Sequence, residues 1–280
     1  MISRITAGLV LLVAGCGLPT AAPVAPADSP KARIEYARAE CMRDRGFHYE
    51  PFLPTQPPVT AEQQKEFDGD YALMRATRER IGYRVFSGFV YRTDPTAGGM
   101  DAAVNDEANG RSMGHLSATQ MEAYDAAGKA CLAQAVEKVL HRRVTGQEDL
   151  SEQMWREIDR EKTRVLDGDP QLVALARAYA ACMRGKGYEI PSERPSRISW
   201  AEPDRFRARV YELGRQQQGP KAEAGLPYYP TLSEEEAKPY LREEIASALD
   251  DLECGKEFFP VYLPRQQAVA DPIVRAWGMD

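Results

Sequence analysis

Histidine is scarce in this sequence, and the short motifs that mark common catalytic centres are missing. The 280 residues include three histidines, His48, His115 and His141. None sits in H-E-x-x-H, and neither G-x-S-x-G nor a glycine-rich phosphate loop is present, so the usual zinc-protease, serine-hydrolase and nucleotide readings lack their signatures. His48 follows an expected helix end and His115 precedes an expected helix start. His141 falls in a basic last turn, where positive charge complements unpaired carbonyls. No two cysteines stand in C-x-x-C, the spacing that structural zinc or a thioredoxin-like pair would use. Asp101, Asn105, Asp106 and Glu107 miss the EF-hand spacing. No metal or cofactor is therefore expected. Positive charge is also outnumbered, with Lys+Arg 36 against Asp+Glu 42 and a net charge of −6. Such a balance disfavours nucleic acid and anionic bilayer surfaces as partners. Carboxylates are plentiful, so a glycosidase-like pair stays open as an alternative.

Long apolar runs are scarce as well. One opens the chain at residues 5–13, behind Arg4. It is far below the ~20 residues that a membrane-spanning helix needs and reads as an export signal. It ends in Val13-Ala14-Gly15-Cys16. This resembles the lipobox of bacterial lipoproteins: a branched aliphatic residue, two small residues and a cysteine. The resemblance implies a diacylglyceryl group on Cys16, cleavage before it, and a mature chain of 265 residues (280 less 15). Each buried lipid methylene adds ~0.8 kcal/mol, so the acyl chains anchor firmly. Cysteine parity agrees. Five cysteines in an exported protein leave one unpaired, and lipidation of Cys16 removes the odd one. Residues 16–29, rich in Ala and Pro, are expected to form a flexible tether. The expected location is the extracytoplasmic face of the cell membrane, with the lipid as the membrane contact.

What the sequence does contain is a stretch spelled twice: Cys41-Met42-Arg43-Asp44-Arg45-Gly46-Phe47 and Cys182-Met183-Arg184-Gly185-Lys186-Gly187-Tyr188. Both read Cys-Met-Arg, two residues, Gly, aromatic. An Asp lies thirteen residues before each Cys, at Asp28 and Asp169. The spelling fits a helix C-terminus. Gly46 and Gly187 supply the positive φ that such an ending requires. Phe47 then packs back on Met42, and Tyr188 on Met183. Arg43, Arg45, Arg184 and Lys186 place positive charge in the last turn.

The rest of the chain alternates helices with proline-rich exits. Ser29-Pro30 and Asp169-Pro170 are helix starts, the first residue as cap and Pro at the first position. Thr60 with Gln63 and Ser117 with Gln120 read as capping boxes. The first opens a helix with Phe67, Tyr71, Met74 and Ile81 on its apolar stripe. The second opens one bearing Tyr124, Gly128, Cys131, Ala135 and Val139. Residues 83–92 are aromatic and β-branched, which predicts a short strand or an ordered loop. Residues 93–114 read as a long loop. A charged helix is expected over 150–166, with Met154, Trp155, Ile158 and Val165 buried. Another is expected over 203–218, with Phe206, Val210 and Leu213 in register. Ser233 and Glu236 cap a short turn. Pro239 is expected to break the chain there, with a new helix running to about Phe258. Its stripe is Ile245, Leu249 and Leu252. Cys254 lies off that stripe, which leaves open a helix buried on two sides.

The two halves share an order: helix to Cys-Met-Arg, proline exit, middle helix, loop, capped helix to a second Cys. This reads as a duplication. Four cysteines allow three connectivities, and the duplication selects Cys41–Cys131 and Cys182–Cys254, stabilising crosslinks in an oxidising compartment. The expected fold class is mainly α, with little β. Its organisation is a signal at 1–15, a tether at 16–29, and two related disulfide-pinned repeats at 30–148 and 149–280 with long loops.

One candidate binding set stands out. Tyr83, Arg84, Phe86, Phe89, Tyr91 and Arg92 precede the long loop of the first half. Trp200, Tyr228 and Tyr229 occupy the matching part of the second. Exposed aromatics could stack on a sugar or a partner protein; the competing reading is that they fill core space between the halves, as large aromatics usually do. Paired Cys-Met-Arg stretches behind a lipobox also resemble secreted lipoproteins of actinobacteria, a group without an assigned role. That resemblance implies a cell-surface helical disulfide protein and carries over no catalytic residue. The expected function is a lipid-anchored binding or scaffold protein whose partner is an envelope protein or glycan. The alternative is an envelope hydrolase with a carboxylate pair in a cleft.

Overall fold

The computed structural model describes residues 28–54, 58–99, 107–223 and 226–279. The expected signal at 1–15, Cys16, the expected tether up to residue 27, and Asp101, Asn105 and Asp106 lie outside them. The described chain is mainly helical, with no strand among these residues. In chain order the helices are α1 (Pro30–Asp44), α2 (Ala61–Phe67), α3 (Tyr71–Ile81), α4 (Ser87–Val90), α5 (Glu107–Met113) and α6 (Ala118–Leu140). The second half contributes α7 (Gln147–Leu166), α8 (Pro170–Gly185), α9 (Pro195–Ile198), α10 (Ala201–Gln218), α11 (Glu234–Cys254) and α12 (Phe259–Ala276).

The duplicated stretches end α1 and α8 in the same way. The Phe47 N–H donates to the Met42 carbonyl at 3.0 Å and the Gly46 N–H to that of Arg43 at 2.9 Å. Tyr188 and Gly187 repeat this toward Met183 and Arg184 at 3.1 and 2.9 Å. These are the paired bonds of a Schellman ending. Gly46 has φ +83° and Gly187 φ +91°, and nothing lies within 4 Å of a Cβ built on either. The cost of a side chain there is therefore conformational alone. Gly187→Ala is expected to lower stability by about 1 kcal/mol, with Gly187→Asn closer to the parent; thermal melts of the two variants check this.

The disulfides join Cys41 to Cys131 and Cys182 to Cys254, each with Cα atoms 5.5 Å apart. The first ties α1 to α6 and the second ties α8 to α11. Around α1 and α6, Ile34, Leu132, Val136, Leu150, Met154, Ile158 and Trp277 form one core cluster. Met42, Tyr124 and Cys131 form another, closed by Phe47 edge-on to Tyr124. Around α8, Leu166, Leu172, Tyr179, Met183, Phe258, Phe259 and Tyr262 cluster with Met74 of α3. A further cluster joins Phe86 and Phe89 to Phe206, Val210, Leu232 and Leu241. The segment from α3 to α4 thus packs on α10 and α11, across the boundary at residue 148.

Several details differ from expectation. Gly69, at φ +95°, divides the helix expected from Thr60 into α2 and α3. Residues 83–92, expected as a short strand or an ordered loop, form a tight turn and the single helical turn α4, because a buried carboxylate gathers the turn's N–H groups. Glu244 accepts from the backbone N–H of Tyr83 at 2.6 Å, Val85 at 2.9 Å and Phe86 at 2.8 Å. Pro239 does not break α11; it is the sixth residue of a continuous helix. The carbonyl it leaves unpaired belongs to exposed Glu235, where water can reach it. α11 is buried on several sides, against α3, α4, α8 and α10. Ile245 and Leu249 are only half-buried, while Glu244, Ser247 and Asp251 are sealed inside. α12, carrying Pro264 and Pro272, is absent from the sequence reading.

Candidate functional site

On α7 the fully buried line is Leu150, Met154, Ile158, Lys162 and Leu166, a spacing of four residues. Trp155 and Val165 are each one position off this line. Their expected burial is corrected accordingly: Trp155 is 58% exposed and Val165 38%. The chain has three tryptophans. Trp277 is buried under the Arg142 guanidinium. The other two, Trp155 and Trp200 (37% exposed), border one groove.

The groove lies between α7, α9 and the start of α10 and has a volume of about 510 Å³. Its walls are fixed locally. Asp167, just past α7, accepts the Ser196 N–H and Oγ–H, both at 2.9 Å. That holds the one-turn helix α9 against α7. Ile198 anchors α9 in the core, and Trp200, two residues on, starts α10. The rim carries three ion pairs: Arg197–Asp159 at 2.6 Å, Arg156–Glu152 at 2.8 Å and Arg207–Asp204 at 2.5 Å. The Arg207 guanidinium also sits 5.1 Å from the centre of the Trp200 ring.

Lys162 lines the groove from a core position. It is 6% exposed, its Nζ lies 5.8 Å from the centre of the Trp200 ring, and it enters no hydrogen bond or ion pair among the described residues. Burial pulls its pKa below the ordinary lysine range. Asp159 opposes that shift and Arg197 adds to it. A lysine whose stem is buried on a core stripe, with its Nζ unbonded at the groove, is the unusual feature of the site.

Of the aromatic set read from the sequence, Trp200 alone lies in this groove. Phe86 and Phe89 are corrected from binding residues to core. They are 0% and 3% exposed, and Phe86 stacks on Tyr240 at 4.9 Å. Tyr83 is half-buried; its ring lies 5.9 Å from that of Phe206 and its hydroxyl 3.3 Å from Ser247 Oγ. Desolvation, helped by nearby Asp251, pushes its phenol far up. Arg84 is exposed, with φ +66° in the turn that feeds Glu244. Tyr91, the cap of α4, and Arg92 after it are exposed. Tyr228 is half-buried and accepts the Glu223 N–H; Tyr229 is exposed and pairs edge-on with Tyr211. The competing reading therefore holds for Phe86 and Phe89: they fill the space between the halves.

Sequence reasoning missed Trp155 and Lys162. A lysine in register with Leu150, Met154, Ile158 and Leu166 was the available signal, because a charge on an apolar stripe needs a reason.

Two carboxylates among the described residues have their pKa raised by burial, Glu244 and Asp251. Both are sealed, at 0% and 2% exposure. Glu244 is occupied by three backbone donors, and Asp251 by Arg78 at 2.5 Å and the Tyr179 hydroxyl. Neither faces the groove, where each rim carboxylate is engaged with an arginine. The site can stack, hydrogen-bond and attract charge; it presents no acid–base pair.

No protein-family model, curated protein or solved structure matches this chain.

Proposed function

We propose that the chain is a lipid-anchored binding protein on the extracytoplasmic face of the cell envelope, tethered through Cys16 and presenting the Trp155–Trp200 groove. The observation that carries the binding reading is the pair of exposed tryptophans on one groove, since amphipathic indoles are favoured where a partner must be desolvated. The anchoring reading rests on Val13-Ala14-Gly15-Cys16 behind an apolar run. Two disulfides support export, because such crosslinks persist in oxidising compartments. The matching ends of α1 and α8, each crosslinked to a later helix, support descent from a duplicated unit.

Cells expressing the full chain and fed an alkyne-tagged palmitate are expected to label the wild type and not Cys16→Ala; an unlabelled wild type would refute the anchor. In parallel, in the unlipidated Cys16→Ala background, a Trp155→Ala/Trp200→Ala variant is expected to be retained on isolated envelopes several-fold less than the parent with both tryptophans. Equal retention would refute the groove as the binding site.

A further inference from the structure

The groove's charges do not cancel. Three arginines on the rim are matched by three carboxylates at 2.5–2.8 Å, which leaves the ammonium of Lys162 as one positive charge over. Its Nζ also has no hydrogen-bond or ion-pair partner among the described residues. A ligand that fits must bring an acceptor, preferably a single negative charge, to the groove floor. At the same time it must present a flat C–H face to Trp155 and Trp200, because the negative face of an indole attracts electropositive C–H groups. The rim ion pairs add donors and acceptors that suit a hydroxyl-rich molecule. A purely apolar partner would leave them, and Lys162, desolvated and unsatisfied.

We propose that the groove is a subsite for an acidic saccharide, with a sugar ring stacked on Trp200 and Trp155 and its carboxylate on the Nζ of Lys162. This rests on the reading of the groove as a binding site and names its ligand class. The carboxylate forms a charge-assisted hydrogen bond in a partly desolvated site, which is where such bonds discriminate most.

The test uses the full-length chain in detergent micelles and its tryptophan fluorescence. Trp277 is buried and gives a constant background. The probes are a tetramer of galacturonic acid and its methyl ester, which keeps the rings and removes the charge. The acid is expected to bind at least tenfold more tightly than the ester. Lys162→Met, which keeps the stem volume, should bring the two affinities to within about twofold. Trp200→Ala should lose both, and Trp155→Ala, at a more exposed position, supplies the same readout if Trp200→Ala does not fold. Equal affinity for acid and ester in the wild type overturns the proposal, as does binding of neither. If neither binds while envelope retention still depends on the two tryptophans, the ligand is a protein or another polymer, and this inference alone falls.

Discussion

Glu244→Ala is expected to lower the unfolding free energy by about 4 kcal/mol, read from urea denaturation at neutral pH. The wild-type carboxylate is 0% exposed and takes three backbone N–H groups from the turn between α3 and α4. Each buried donor left unpaired costs about 1–3 kcal/mol, and the three share one site, so the sum is less than additive. A loss under about 1 kcal/mol would mean that the turn has other acceptors, and that Glu244 does not organise it. Titration gives a second readout. Burial raises the Glu244 pKa, with its three hydrogen bonds opposing. Between the ordinary glutamate value and this raised one, the folded chain holds more protons than the unfolded chain. Stability from this group is thus full below the unfolded pKa and is lost as pH rises through the folded one. The lead of the wild type over Glu244→Gln, measured by urea midpoints from mildly acidic to neutral pH, should therefore shrink as pH rises. A lead that grows would reverse the sign of the shift.

The other large effect belongs to the crosslinks. Removing Cys41–Cys131 by paired alanine substitution should cost about 4 kcal/mol, and removing Cys182–Cys254 slightly less. The loops span 90 and 72 residues, and chain-entropy reasoning gives about 4–5 kcal/mol for closures of that size. Their environments differ. Cys131 is fully buried, whereas Cys182 and Cys254 are both half-buried. Mild reductant is expected to open Cys182–Cys254 first, with mass-tagged thiols showing a two-tag intermediate before a four-tag product. Simultaneous opening would mean that the first loss unfolds the rest.

Much of this architecture could be read locally. The ends of α1 and α8 are set by Gly46 and Gly187, and their chemistry is complete within seven residues of sequence. The capping boxes at Thr60 and Ser117 are likewise local, and both are formed. Features settled by distant neighbours were illegible. α12 was hidden by Pro264 and Pro272, each of which costs a helix about 3 kcal/mol. It survives because Phe259, Tyr262 and Trp277 bury their rings and the helix docks along α7. The turn after α3 reads as strand-like in isolation and is decided by Glu244, about 160 residues away. Trp155 and Trp200 border one groove because Asp167 pins α9 to α7.

The packing of α4 on α10 and α11 has a consequence for biogenesis. Phe86 and Phe89 lean on Leu232 and Leu241, the farthest of them 155 positions later (241 less 86). A chain emerging amino end first can therefore close α1 onto α6 early. It must carry those two rings uncovered until Phe206 and Val210 appear, and only partly covered until Leu241. That interval is when a protease or a holding chaperone would find this protein.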